Sequence, residues 1–498
     1  MKSLIKEKSL ENYFEQFRKN IIGINAEIKT PFGIKKVLYA DWIASGRLYG
    51  PIEEKLVNSI GPMVGNTHSE SSETGMLMTR AYHYAHQIIK THVNANADDI
   101  IITAESGMTG VVCKFQRILG LKIPEKLDKY FFIPEEERPV VFVTHLEHHS
   151  NHTSWLETIS DVVVLEPDEY LLVNPDHLNQ EIKKYSNRKL KIGAFTACSN
   201  VTGYIPPYHQ LAKIMHKYGG VCFVDFAASA PYVDINMHPD DPLEALDAIY
   251  FSPHKFLGGP GSAGVLIFNK YLYKNRIPDH PGGGTVNWTN RWNEYSYITD
   301  VEAREDGGTP GYIQAYRIAL SIQLKDQMGV ENIQQREREL MDIVWNEFTK
   351  VRGLKILADN ITERLGVISF YIEGIHHNLV TRLLNDLYGI QVRGGCSCAG
   401  TYGHFLLNVD YDLSHQITDH IDHGDLSLKP GWVRFSIHPT MTNDELYRVI
   451  NALHDISNHI KKYEINYKLE KSTNEFIHQE FDPSFDHIIT DWFTLTAK

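Results

Sequence analysis

Between residues 98 and 268 the chain carries apolar runs without the alternation of a half-exposed strand. They are Asp98-Asp-Ile-Ile-Ile-Thr103, Val140-Val-Phe-Val-Thr144, Ile192-Gly-Ala-Phe-Thr-Ala197, Val221-Cys-Phe-Val-Asp225, Asp247-Ala-Ile-Tyr-Phe-Ser252 and Ser262-Ala-Gly-Val-Leu-Ile-Phe268. Runs of this kind are strands buried on both faces, and helical stretches at Val111–Leu119 and Pro207–Tyr218 lie between them. Strands alternating with helices fold as a mostly parallel sheet covered by helices, an α/β architecture. Ligands of such sheets bind beyond the carboxyl ends of the strands, so the residues following each run carry the chemistry.

Two of those ends are informative together. Lys255 follows one run, inside Ser252-Pro-His-Lys-Phe-Leu-Gly-Gly-Pro260. Burial between two strands disfavours the ammonium form, so the amine becomes a nucleophile able to form a Schiff base with an aldehyde. Taken alone, a lysine in a Gly-rich loop is more often a surface residue or a phosphate contact. Asp225, ending another run about thirty residues earlier, narrows the choice. Pyridoxal phosphate needs a carboxylate that keeps its ring nitrogen protonated, because the protonated pyridine draws electrons from the substrate's α-carbon.

Other stretches stay open on their own residues. Ala104-Glu-Ser106-Gly107-Met108-Thr-Gly110 turns a strand into a helix with small residues, which suits a phosphate but also describes an ordinary Gly-rich turn. His145, His148 and His149 invite a zinc reading, yet no Cys or carboxylate pair at ligand spacing accompanies them, so no metal is expected. In Gln391-Val-Arg393-Gly-Gly-Cys396-Ser-Cys398-Ala-Gly400 no second cysteine pair exists to complete four ligands, and a nucleophilic thiol is the better reading. Arg434, on a strand edge, is as readily a structural ion pair as a carboxylate ligand.

Composition sets the limits. The 498 residues carry a net charge of -13, which favours neither nucleic acid nor an anionic membrane as partner. Small molecules or proteins are the expected partners. The start Met1-Lys-Ser-Leu-Ile-Lys-Glu-Lys has no apolar core of signal-peptide length and no later run approaches a membrane span, so a cytoplasmic location is expected. Five cysteines (Cys113, Cys198, Cys222, Cys396, Cys398) are too few and odd for a disulfide framework.

The order Asp225, His254-Lys255, Cys398, Arg434 resembles the class V aminotransferase branch of fold-type-I pyridoxal phosphate enzymes, and within it the cysteine desulfurases. The resemblance spans roughly residues 35 to 460. It implies a large domain with a mostly parallel seven-stranded sheet (35–325) and a smaller α+β domain (326–461), flanked by an N-terminal arm (1–34) and a tail (462–498). It implies that pyridoxal 5'-phosphate is held by Ser106, Gly107, Met108, Ser252 and His254, with Asp225 at the ring nitrogen and Lys255 as the covalent anchor. In Glu147-His148-His149-Ser150-Asn151, His148 would stack on the ring and shuttle protons. Asn200, in Ser199-Asn-Val-Thr-Gly203, would lie near the cofactor's phenolic oxygen and the substrate carboxylate, which Arg434 would grip in two places. Leu38–Arg47 is similar to the segment along the active-site mouth, and Asn66-Thr-His68-Ser69 also has a counterpart, although His68 by itself reads as a loop histidine.

The activity implied is conversion of L-cysteine to L-alanine, with Cys398 taking the sulfur as a persulfide and passing it to an acceptor that includes proteins. Pro281–Thr285 and Glu305–Pro310 are similar to loops that reach across a homodimer. R-x-G-C-x-C-x-x-G, with residues 401–431 inserted before Arg434, is closer still to the desulfurase domain of molybdenum cofactor sulfurases, whose separate target-binding domain is not expected in the short stretch after Lys461. One departure is Ala228, where desulfurases usually carry a glutamine that touches the phenolic oxygen. The rivals are a class V aminotransferase, lyase or epimerase on another amino acid, and a cofactor-free binding protein on the same fold.

Overall fold

The apolar runs assemble into one sheet. The structure, a computed structural model, describes residues 9–67, 71–482 and 484–495. The strands are β1 (Asp99–Ala104), β2 (Val140–Thr144), β3 (Asp161–Leu165), β4 (Lys191–Thr196), β5 (Val221–Asp225), β6 (Ala248–Phe251) and β7 (Gly264–Asn269). They pair in the order β1-β7-β6-β5-β4-β2-β3, seven strands in all. Only β7 runs against the others, between β1 and β6; the remaining pairs are parallel. This is the α/β fold-type-I architecture.

Every residue of β2, β4, β5 and β6 is buried, which accounts for their uninterrupted apolar sequences. β3 is an edge strand, mostly half-buried, and is not among the strands expected from the sequence although Val162-Val-Val164 is β-branched. On one face, Phe115 of the helix Met108–Ile118 packs edge-on against Phe223 with ring centres 5.0 Å apart, and Trp155 lies beside it. On the other, Phe142, Phe195, Met215 and Ile318 close the second layer. Each such side chain contributes about 1.5–3 kcal/mol on burial.

A second, antiparallel sheet of four strands follows, in the order Leu354–Ile356, Val367–Ile372, Trp432–Ser436, Arg393–Gly395. The helices His377–Tyr388 and Asn443–Glu464 bury their apolar faces in the core that this sheet shares, giving the expected α+β unit. The helix Asn443–Glu464 opens on a capping box: Thr442 Oγ1 accepts from Glu445 N–H (3.1 Å) and Glu445 accepts from Thr442 N–H (3.2 Å). The early strand Leu38–Tyr39 pairs in parallel with Ile390–Gln391, so the segment leading to the mouth starts from the second sheet's side. The tail returns as a hairpin, Tyr467–Glu470 with Glu475–His478. Tyr467 donates to Asp386 (2.8 Å), and Asn378 donates to the Asn474 carbonyl (2.6 Å). Among the described residues no helix is long and apolar enough to cross a membrane.

Candidate active site

The loops leaving the carboxyl ends of β1, β2, β4, β5 and β6 meet at a cavity of about 220 Å³. The second sheet and its loop close it with Arg393, Ser397, Cys398 and Arg434, while Ile43 and Ala44 come from the segment after Leu38–Tyr39. Of the residues expected at a site, Met108, His148, Asn200, Asp225, Ser252, His254, Lys255, Cys398 and Arg434 all line it. Ser106 is exposed and Gly107 is the N-cap of the helix Met108–Ile118; Thr109 borders the cavity and these two do not. His68 lies outside the described residues. Ala228, in the place of the usual glutamine, is also in the wall.

Lys255 sits at the end of a single tight turn, Pro253–Lys255, directly after β6. Gly46 seals that turn from the mouth side: its N–H donates to His254 O (2.9 Å), and a Cβ at 46 would fall 1.9 Å from Phe256 O. Only glycine allows the two backbones so close. Burial lowers the Lys255 pKa to about 8; Asp225 opposes this, and Arg434 and Arg393 reinforce it. An unprotonated, nucleophilic amine is therefore accessible near neutral pH. Burial also lifts Asp225 to about 6, against the Ala227 N–H that it accepts (2.8 Å) and the charge of Lys255. Ser252 Oγ accepts the Met108 N–H (2.8 Å), tying the helix start to the lysine turn.

Only one side chain of the Glu147–His149 cluster borders the cavity. His148 caps the helix His149–Leu156, its Nδ1 accepting the Ser150 N–H (3.1 Å). That bond leaves the proton of the neutral ring on Nε2, and burial drops its pKa to about 3, with Lys255 adding to the effect. Glu147 points backwards, accepting from Thr144 Oγ1 (2.7 Å), Thr196 N–H (2.9 Å) and Asn151 Nδ2 (2.7 Å). Asn151 in turn accepts from Tyr250 OH (2.6 Å). Glu147 and Asn151 thus fasten the helix carrying His148 to β2, β4 and β6. His145 is buried against the Leu171 carbonyl (3.2 Å). Among the described residues no group of three or more His, Cys, Asp or Glu is arranged to hold a metal.

The opposite wall holds a charge arrangement with no sign in the sequence. Buried Arg434 places Nη2 on Asp41 Oδ1 (2.8 Å) and Nη1 on the Asn200 carbonyl (3.3 Å). The other Asp41 oxygen accepts from Arg393 Nε (3.1 Å), so one carboxylate serves two guanidiniums. Arg434 is therefore in an ion pair and in the cavity wall at once. Asn200 donates to the Ser397 carbonyl (2.7 Å). Ser397 and Cys398 both adopt positive φ, 52° and 57°, at a cost of about 1 kcal/mol or more each. Cys398 is exposed; Cys396 is half-buried and packs against the main core.

Comparison with known proteins decides the family. The class V aminotransferase family model matches residues 39–449. The chain belongs to the class V aminotransferase family. Among curated relatives, a probable cysteine desulfurase of Staphylococcus epidermidis is 29% identical over 373 residues, covering 73% of this chain and 84% of the relative. One of Halalkalibacterium halodurans is 26% identical over the same length and coverage. Two cysteine desulfurases of known structure share the fold. The apo cysteine desulfurase of Thermococcus onnurineus has a TM-score of 0.70 at 22% identity, covering 89% of this chain and 98% of its own. A cysteine desulfurase of Escherichia coli has a TM-score of 0.68 at 20% identity, covering 90% and 98%.

Class V enzymes depend on pyridoxal phosphate, and this cavity fits it. Lys255 offers an amine for the aldehyde and Asp225 a buried carboxylate for the ring nitrogen. Gly107, the N-cap of the helix Met108–Ile118, supplies no side-chain cap, and among the described residues only the Met108 N–H is taken, by Ser252, so the next backbone donors of the first turn can meet a phosphate. Three buried polar atoms of the cavity lining, Asn200 Oδ1, Ser397 Oγ and Arg434 Nε, have no partner among the described residues. Buried polar groups are nearly always hydrogen-bonded, so such a set marks where a polar ligand belongs.

Proposed function

We propose that this class V enzyme is a cysteine desulfurase, converting L-cysteine to L-alanine and taking the sulfur onto Cys398. The observation that carries the reading is an exposed thiol, Cys398, in the wall of the cavity that also holds Lys255 and Asp225. The names of the curated relatives support it.

Lys255, Asp225, Ser252, His254 and the start of the helix Met108–Ile118 would hold pyridoxal phosphate, which when bound withdraws electrons from the substrate's α-carbon. Asp225 keeps a positive charge beside it favourable; in return, a cation there keeps Asp225 ionised against the burial that lifts its pKa. Arg434 offers the unpartnered Nε to the substrate carboxylate. His148 presents a neutral Nε2–H to the cavity, where it can donate a hydrogen bond to a bound group. Lys255, with its lowered pKa, can carry a proton at Nζ. The Cys398 thiolate forms an S–S bond with the substrate sulfur as the substrate's Cβ–S bond breaks, and Cβ takes a proton to give alanine.

The reading extends to assembly and location. The Gly-rich segments 281–285 and 305–310, with exposed Trp288 and Trp292 between them, suit a homodimer contact. All five cysteines are free, which suits the reducing cytoplasm. Cys398 is open to a protein sulfur acceptor.

Incubated with L-cysteine and a reductant, the loaded enzyme is expected to release sulfide and alanine in equal amounts. Without reductant, it is expected to carry one added sulfur on the peptide containing residue 398, read by mass spectrometry. Keto acid without sulfide would replace this reading with the aminotransferase rival. Asp225→Asn is expected to retain pyridoxal phosphate absorbance while kcat falls about a hundredfold, since a neutral amide cannot hold the ring nitrogen protonated. Near-native kcat in that variant would assign the nitrogen to another group.

A further inference from the structure

The Cys398 loop is held in place by a residue that does not border the cavity. His149, one position past His148, bonds the loop at the cysteine's own carbonyl and again two residues further on. Its backbone N–H donates to the Cys398 carbonyl (2.8 Å), and its ring Nε2 accepts the Gly400 N–H (2.9 Å). The second bond also caps the helix Gly400–Leu406, whose own N-cap, Ala399, supplies no side-chain bond. The approach is tight: a Cβ at residue 400 would lie 3.1 Å from His149 Nε2. Leading into the first of these bonds, Ser397 and Cys398 keep the left-handed conformation that residues with a Cβ avoid, so the loop would leave it if released. The ring can act as acceptor because burial, helped by the charge of Lys429, lowers its pKa and keeps it neutral.

We infer that His149 is a positioning residue for the nucleophile: through its two bonds to residues 398 and 400 it holds the Cys398 sulfur at the cavity. The inference rests on the reading of Cys398 as the sulfur-accepting thiol. Glu147, His148 and His149 then divide one task, with Glu147 anchoring the helix, His148 facing the ligand and His149 gripping the cysteine loop from the same helix end.

The test compares His149→Ala, His149→Gln and His149→Asn in the pyridoxal phosphate-loaded enzyme. Gln carries its amide oxygen at about the reach of Nε2, whereas Asn places it near Nδ1. His149→Ala and His149→Asn are expected to lower the rate of persulfide formation on Cys398 roughly tenfold, with cofactor absorbance and the KM for L-cysteine unchanged. His149→Gln is expected to restore the rate to within about threefold of native. Amide hydrogen exchange over residues 397–403 is expected to quicken in the Ala and Asn variants and to recover in the Gln variant. Equal loss in Gln and Ala, or unchanged exchange in the Ala variant, would overturn the inference. If the native enzyme forms no persulfide on Cys398, the desulfurase reading falls instead, and the exchange comparison alone decides whether His149 holds the loop.

Discussion

Lys255→Ala is expected to lose both the visible absorbance of enzyme-held pyridoxal phosphate and the turnover of L-cysteine, the latter by roughly 10³-fold or more. No other lysine lines the cavity, so no neighbouring amine can take over. The pKa of about 8 is what makes this amine reactive, and it depends on burial that a surface lysine would lack. Borohydride reduction of the native enzyme should fix the cofactor on the peptide that contains residue 255, and the variant should show no such adduct. An unchanged spectrum, or an adduct on a different lysine, would refute the assignment.

The second large effect belongs to the cysteine loop. Cys398→Ala is expected to bind pyridoxal phosphate normally while sulfide release from L-cysteine falls on the order of 10²-fold or more. Cys396→Ala is expected to stay within about threefold of native, because its half-buried thiol packs against the main core and does not border the cavity. The paired comparison tells a specific nucleophile from a general need for thiols in the loop. Added sulfur found only on Cys396 would reverse the two roles.

What the sequence disclosed and what it hid follow from how each feature is made. Asp225 and Lys255 could be read because each lies at the end of an uninterrupted apolar run, and such a run has one place to go, the middle of a parallel sheet. The capping box at Thr442 was equally legible, because its partners stand three residues apart. Asp41 was not: its partners Arg393 and Arg434 are more than 350 residues away and arrive through the pairing of Leu38–Tyr39 with Ile390–Gln391, a two-residue match that no local pattern announces. The histidine cluster fell between these cases. Its position after β2 was evident, but which ring faces a ligand depends on the turn of one short helix, and Glu147 and Asn151 prove to be internal fasteners. The edge strand β3 had the right residue types, and its signal was weakened by half-exposure.

The sharing of Asp41 between two guanidiniums has a consequence beyond the contacts themselves. Two positive groups against one negative group leave an unbalanced positive charge on that wall, inside a chain whose net charge is -13. Seen from a distance, the protein repels anions; within a few ångströms of the cavity the sign reverses. Salt damps the outer repulsion over about 10 Å, but weakens the attraction much less where the guanidinium is buried. A zwitterion such as a free amino acid carries no net charge for the outer field to oppose, and its carboxylate responds to the inner one. A dianion of similar size is held off before it can respond. The site thus sorts solutes by charge distribution before shape is tested, and raising ionic strength should narrow the difference between the two.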